Sequence, residues 1–231
     1  MIFNYGIDHL DLKKVLQIAN SELSTSINKE AKEKINLSRK KVNTITQKNK
    51  AVYGINTGFG PLCDVQISPE ETNLLQKNLL ITHAVGVGEI IDKQLSKIMM
   101  ICKVHSLCQG YSGIRLEVIE RIVFFITHDL LPVVPEQGSV GASGDLAPLA
   151  HLSLALIGEG EVYEEGRRSQ TKEVLAKLGW DALNLEMKEG LALLNGTQFS
   201  LSYGVWSMVK ALRLSKLADI VAAMSVDGFG A

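Results

Sequence analysis

The stretch "SLSYGVWSMVKALRLSKLADIVAAMSV", Ser200 to Val226, limits the fold more than any other part of the chain. It runs for many helical turns without proline and carries apolar residues on several faces. A helix that is hydrophobic nearly all round needs other helices around it, so this segment predicts a bundle. Two further segments have helical character. Residues 28–48 form a mostly polar helix with Ile35, Val42 and Ile45 at helical spacing, and residues 70–131 alternate apolar and polar groups over many turns. The second segment is broken near Gly86-Val87-Gly88 and Gly110-Tyr111-Ser112-Gly113. Strand signals are few: "GEVYEEGRRSQ" predicts a short hairpin around Glu165-Gly166, and "VVP" predicts an extended approach to the loop at 138–144. The fold class is mainly α. There is no internal repeat and no low-complexity linker. The chain stops at "DGFGA", directly after the helix that most needs covering, and this ending reads as a truncation.

With 231 residues, 46% of them apolar, the chain can bury one large domain or a domain and a half. Its longest apolar runs, "IVFFI" and "LLPVV", fall far short of the roughly 18 residues of a membrane span, so no membrane partner is expected. The start does not read as a signal peptide. Cys63, Cys102 and Cys108 are odd in number and lack metal-type spacing, as expected for reduced thiols in a cytoplasmic protein without a metal site. Residues 1–50 carry ten Lys or Arg against five Asp or Glu. No aromatics or nucleic-acid module accompany these charges, so they read as a solvated helix face and not as a nucleic-acid surface.

The loop "GSVGASGD", Gly138 to Asp145, places four small residues before a carboxylate and a helix. It is not a P-loop, because no Lys follows Gly144, and neither Gly86-Val87-Gly88 nor Gly158-Glu159-Gly160 completes a dinucleotide fingerprint. Nor is it a nucleophile elbow, since Gly141-Ala142-Ser143-Gly144-Asp145 has its acid in the wrong place. The tripeptide Ala142-Ser143-Gly144 has a chemistry of its own. A glycine nitrogen has no Cβ beside it and can approach the carbonyl carbon two residues back. Attack of Gly144 N on Ala142 C closes a five-membered ring around Ser143. Loss of water and then of the Ser143 hydroxyl leaves a 4-methylidene-imidazol-5-one (MIO). The plain alternative is a Gly/Ser turn that caps the next helix, with Asp145 as the cap.

The flanks decide between these readings. "GSVGASGDLAPLAHLSLALIGEGE" resembles, almost residue for residue, the prosthetic-group segment of the aromatic amino acid ammonia-lyases, and is nearest in wording to the histidine-specific members. "YGINTGFG" (53–60) is similar to the family's segment with a catalytic tyrosine, "THAVGVGE" (82–89) to its substrate-selectivity segment, "GYSGIR" (110–115) to a further block, and "LLNGTQ" (193–198) to its Asn-bearing segment. The resemblance runs in family order over most of the chain. It implies an active-site domain at 1–190 and the start of a central helical bundle at 191–231. It also implies that Ala142, Ser143 and Gly144 form MIO, that Tyr53 is the base, that Asn195 bonds the ring oxygen or the amine, and that His83 sets substrate choice. Gly54, Gly58 and Gly60 would let the Tyr53 loop close on substrate.

General acid–base catalysis contributes typically about 10²–10⁴-fold, too little to remove a weakly acidic β-proton and expel an amine. An electrophilic group supplies the missing driving force. A phenol with an ordinary pKa of about 10 needs its anion stabilised to act as base. Histidine lyases tend to have Ser-His at the selectivity position, tyrosine lyases His-Leu and phenylalanine lyases Phe-Leu; this chain has Thr82-His83-Ala84. The resemblance therefore implies deamination of L-histidine to trans-urocanate by a homotetramer. A tyrosine or phenylalanine lyase and an aminomutase remain alternatives. A different class of reading is a catalytically incomplete, lyase-like fragment, because the family's carboxylate-binding Arg and second tyrosine have no counterpart here.

Overall fold

A computed structural model describes residues 2–46, 52–55, 57–58, 67 and 69–231. Cys63 and Gly60 lie outside the described residues, as does the end of the helix expected over 28–48. The described elements in chain order are β1 (Ile2–Asn4), α1 (Leu12–Ala19), β2 (Ser24–Ser26), α2 (Lys29–Thr46), α3 (Pro69–His83), β3 (Val87–Ile90), α4 (Lys93–Leu107) and α5 (Leu116–Thr127). These are followed by β4 (Leu131–Pro132), β5 (Pro135–Gln137), α6 (Leu146–Leu154), β6 (Glu161–Glu164), β7 (Arg167–Gln170), α7 (Thr171–Lys177), α8 (Glu189–Leu194) and α9 (Gln198–Phe229). The mainly α reading holds, and the segment 70–131 breaks into helices at both glycine clusters. The division expected at residue 190 falls within α8.

Helix α4 is the spine. It starts at Asp92, whose carboxylate accepts from Gln94 N at 2.7 Å. Every residue from Leu95 to Val104 is buried, because α1, α5 and α9 pack around it. Helix α5 shows the amphipathic pattern plainly: Val118, Ile119, Ile122, Phe125 and Ile126 are buried on one face. Helix α2 buries Ile35 and Val42, while its basic residues meet carboxylates at the surface, as in Lys34–Glu30 at 2.8 Å and Lys32–Glu120 at 2.9 Å. Arg39 departs from that solvated face and is buried.

The sheets are small. The predicted hairpin is β6–β7, with Glu164 opposite Arg167; Glu165 (φ 50°) and Gly166 (φ 79°) both adopt the left-handed conformation that a two-residue hairpin turn favours. β4 joins its free edge, β3 pairs irregularly with β5, and β1 pairs in parallel with β2. The last two pairings have no clear signal in the sequence, because strands of three or four residues carry too little periodicity.

The helix that most needs covering, α9, is covered only at its start. Its first turns are held, with Gln198, Phe199, Ser202 and Val205 buried, but every residue from Lys210 to Ala231 is exposed. Ile220, Val221, Met224 and Phe229 face solvent because no described element reaches that far along the helix. Cys102 and Cys108 are free and buried, and burial pushes both thiols up to about 12.

Lys103 is a buried lysine on α4, 3% exposed, whose Nζ donates to Asn195 O at 2.7 Å. Desolvation lowers its pKa from 10.5 to about 7. Between those values the unfolded chain holds a proton that the native chain lacks, so stability rises with pH over that window, by at most about 1.4 kcal/mol per pH unit. Replacing Lys103 by Met removes this slope. Urea unfolding of both proteins across the window should show the variant's advantage largest at neutral pH and shrinking as pH rises; parallel curves would contradict it. Deleting residues 218–231 should change unfolding free energy by less than about 1 kcal/mol, because they bury almost nothing, and should reduce binding of a hydrophobic dye.

Candidate active site

Tyr53, His83, Ser143 and Asn195 line one cleft of about 640 Å³. They come from four separate parts of the chain. Tyr53 sits in a turn after α2, His83 at the end of α3, Ser143 in the glycine-rich loop before α6, and Asn195 just past α8. Leu79, Leu146 and Leu191 supply apolar wall, and Ser112 and Lys188 complete the polar lining. Ala142 and Gly144 flank Ser143 in the loop.

Helices α3 and α8 can approach closely because Gly190 has no side chain. A Cβ there would lie 2.8 Å from Gln76 O, and Gly190 N donates to Gln76 Oε1 at 2.9 Å. This contact carries His83 and Asn195 to the same cleft. His83 Nδ1 lies 2.8 Å from Leu79 O, so it donates there, leaving Nε2 as the basic nitrogen. The Thr82 hydroxyl bonds back to Asn78 O at 2.8 Å, a helix-backbone contact and not a cleft contact. Behind His83, Gly86 N donates to His151 Nε2 at 2.9 Å. Burial lowers the pKa of His151 and so favours the neutral ring that this bond requires.

The loop at 138–145 is pressed against the segment after Asn195. Asp145 N donates to Gly196 O at 2.7 Å. Gly144 is buried with φ 118°, and a Cβ there would stand 2.4 Å from Gly196 O and 3.0 Å from Gly196 N. Only glycine fits. Ala142 and Ser143, by contrast, are exposed.

Asp145 occupies the N-cap position of α6, as expected, but its carboxylate makes no bond to that helix. It turns toward α9, accepting from Ser200 N and Ser200 Oγ at 2.8 Å each and from Ser139 Oγ at 2.7 Å. The reason is local: Ser200 presents one of the unpaired N–H groups of a helix start, and its hydroxyl adds a second donor. Asp145 therefore ties the loop to α9 instead of capping α6.

On the other side of the cleft, Arg115 of the "GYSGIR" block donates to Glu189 through Nε and Nη2, at 2.9 Å each. Glu189 is fully buried, and its carboxylate holds the Arg115 guanidinium above its ordinary pKa. Sequence reasoning missed Lys188, Lys103 and the direction of Asp145. No motif marks Lys188 or Lys103, and Lys103 and Asp145 bond to partners far away in the chain. Among the described residues, no three His, Cys, Asp or Glu side chains gather as metal ligands.

The family profile described as "Aromatic amino acid lyase" matches residues 10–231. A histidine ammonia-lyase of Streptococcus gordonii is 41% identical over 226 residues, covering 98% of this chain and 44% of that protein. Among solved structures, the histidine ammonia-lyase of Trypanosoma cruzi superposes with a TM-score of 0.89 at 34% identity, covering 98% of this chain and 44% of that one. The tyrosine aminomutase of Streptomyces globisporus gives 0.90 at 32% identity, with 98% and 42% covered. The chain thus spans less than half the length of the relatives it matches. Matched over nearly its whole length by the family profile and by relatives of the same fold, the chain belongs to the aromatic amino acid lyase family.

Proposed function

We propose that this chain is the prosthetic-group part of an ammonia-lyase that converts L-histidine to trans-urocanate. The observation that carries the reading is the meeting of Tyr53, His83 and Asn195 with Ser143 around one cleft. The loop fits the MIO group on its own geometry. Gly144 is held where a Cβ is forbidden, its nitrogen unhindered, while Ser143 stays exposed with its hydroxyl available as a leaving group. Gly144 N attacks Ala142 C, and two waters leave, one from the ring carbon and one carrying the Ser143 hydroxyl.

Ala142, Ser143 and Gly144 would carry the group, which would supply an electrophilic methylene toward the substrate's amine or aromatic ring. The remaining work falls to the chain. Tyr53 accepts the β-proton. Asn195, whose backbone carbonyl is fixed by Lys103, offers its side-chain amide to the ring oxygen or the amine. His83, with its proton held on Nδ1 by Leu79 O, presents Nε2 to the substrate's imidazole N–H, and this favours histidine over a phenyl side chain. The apolar wall of Leu79, Leu146 and Leu191 excludes water from the ring face. The 190/191 division then separates the residues that build the prosthetic-group loop from those that begin a central bundle. The full-length protein is a cytoplasmic homotetramer in this reading.

Coverage of less than half of the relatives supports a second reading, in which the isolated chain forms the group but turns nothing over. The intact mass of the chain tests the shared step. A deficit of two waters, absent in Ser143→Ala, is expected; an undiminished mass in the parent chain would count against MIO formation here. In the full-length protein, Tyr53→Phe should lower kcat by about 10²–10⁴-fold, the usual worth of a general base. A steady-state assay of urocanate formation checks this, and an unchanged rate would remove Tyr53 from its role.

A further inference from the structure

A link of only three residues joins His83, at the end of α3, to Val87, the first residue of β3. Two backbone bonds shape its start: Ala84 N donates to Leu80 O at 3.1 Å and Val85 N to His83 O at 2.9 Å. The third N–H, that of Gly86, has a side chain as its acceptor, the Nε2 of His151, at 2.9 Å. This bond spans 65 residues of sequence and ties the exit of α3 to α6.

Gly86 is clamped from two sides. A Cβ there would lie 3.0 Å from His151 Nε2 and 3.2 Å from Gln137 O. A Cβ at Gly138 would lie 3.1 Å from Gly86 Cα and 3.0 Å from the Ala147 side chain. Ala147 and His151 are one helical turn apart on the same face of α6. Just beyond the link, Val87 pairs with Gln137 of β5. Gln137 and Gly138 lead into the loop of Ser143, and α6 leads out of it. The two ends of that loop therefore grip the same glycine, and the link from His83 runs between them.

A backbone N–H packed among such neighbours needs an acceptor. Imidazole accepts only in its neutral form, with its other nitrogen protonated, and burial of His151 favours that form. The described lining of the cleft does not include His151, so the ring acts on the cleft through Gly86.

We propose that His151 is a positioning residue: by accepting the Gly86 N–H it fixes the link behind His83 against both ends of the Ser143 loop, and so fixes where His83 Nε2 meets the substrate's imidazole. The part that concerns the substrate rests on the reaction proposed above.

Two variants of the full-length protein separate the bond from the bulk of the ring. His151→Phe keeps an aromatic ring without an acceptor, and His151→Gln restores an acceptor, its amide oxygen, at about the reach of Nε2. Hydrogen exchange at the Gly86 amide, read by mass spectrometry on a peptide spanning residues 84–88, should be slow in the parent. It should be about 10-fold or more faster in His151→Phe and slow again in His151→Gln. Steady-state deamination of L-histidine should show KM raised about 10-fold or more in His151→Phe with kcat changed less, as expected when uniform binding is weakened, and KM restored in His151→Gln. The two-water deficit at Ser143 should persist in both variants, because Asp145 holds the loop through Ser200 and Gly196 independently of His151. The proposal is overturned by fast exchange at Gly86 in the parent, by unchanged exchange or unchanged KM in His151→Phe, by loss of the mass deficit in that variant, or by failure of His151→Gln to restore either reading. If His151→Phe does not fold, the parent and His151→Gln decide the matter on the same two readings. A parent protein that forms no urocanate sinks the lyase reading instead, and exchange at Gly86 still decides whether His151 holds the link.

Discussion

One buried carboxylate holds the cleft together. Asp145 is 1% exposed and accepts three hydrogen bonds, two of them from Ser200 at the start of α9. Its own N–H donates to Gly196 O. The loop that carries Ala142, Ser143 and Gly144 is thereby fastened to the segment that carries Asn195. A buried charge without partners is strongly unfavourable, so Asp145 can be accommodated only if these donors are in place. The demand is mutual, since the N–H groups at the start of α9 also need an acceptor.

The opposite wall depends on a second buried carboxylate, Glu189, and on Arg115 and Arg39. These residues join α2, the "GYSGIR" block and the start of α8. Their geometry is bidentate at Glu189, which fixes direction as well as distance. Between the two walls, Lys103 reaches from the spine helix to the carbonyl of Asn195. Polar groups buried in this way add little net stability, but they allow few alternative arrangements. Ser143 is left accessible at the edge of the cleft.

Much of this was legible in the chain. The helices from 29 to 127 follow apolar spacing and break at the glycines that interrupt it. The hairpin follows Glu165-Gly166, where a positive φ is cheap for Gly166. The tripeptide Ala142-Ser143-Gly144 is legible because the chemistry proposed for it is local: a small residue, a hydroxyl and an unhindered nitrogen in succession. Tyr53, His83 and Asn195 were reached only by resemblance, because no spacing between positions 53, 83, 143 and 195 marks them as neighbours. What covers α9 is not legible in the sequence for a related reason. Its pattern does call for partners on every face, but the pattern cannot say whether this stretch of chain supplies them.

The sequence alone determined what is encoded within a few residues: a mainly α chain, its breaks, and a loop of small residues before Asp145. The tertiary structure alone decided where that loop sits and what faces it. Gly144 meets Gly196, Asp145 turns to Ser200, and Lys188 takes a left-handed turn, through contacts such as Asp145–Ser200 and Arg115–Glu189 that span 55 and 74 residues. Local propensity is silent about such contacts, because their energy comes from satisfying buried charges and polar groups that the chain brings together only on folding.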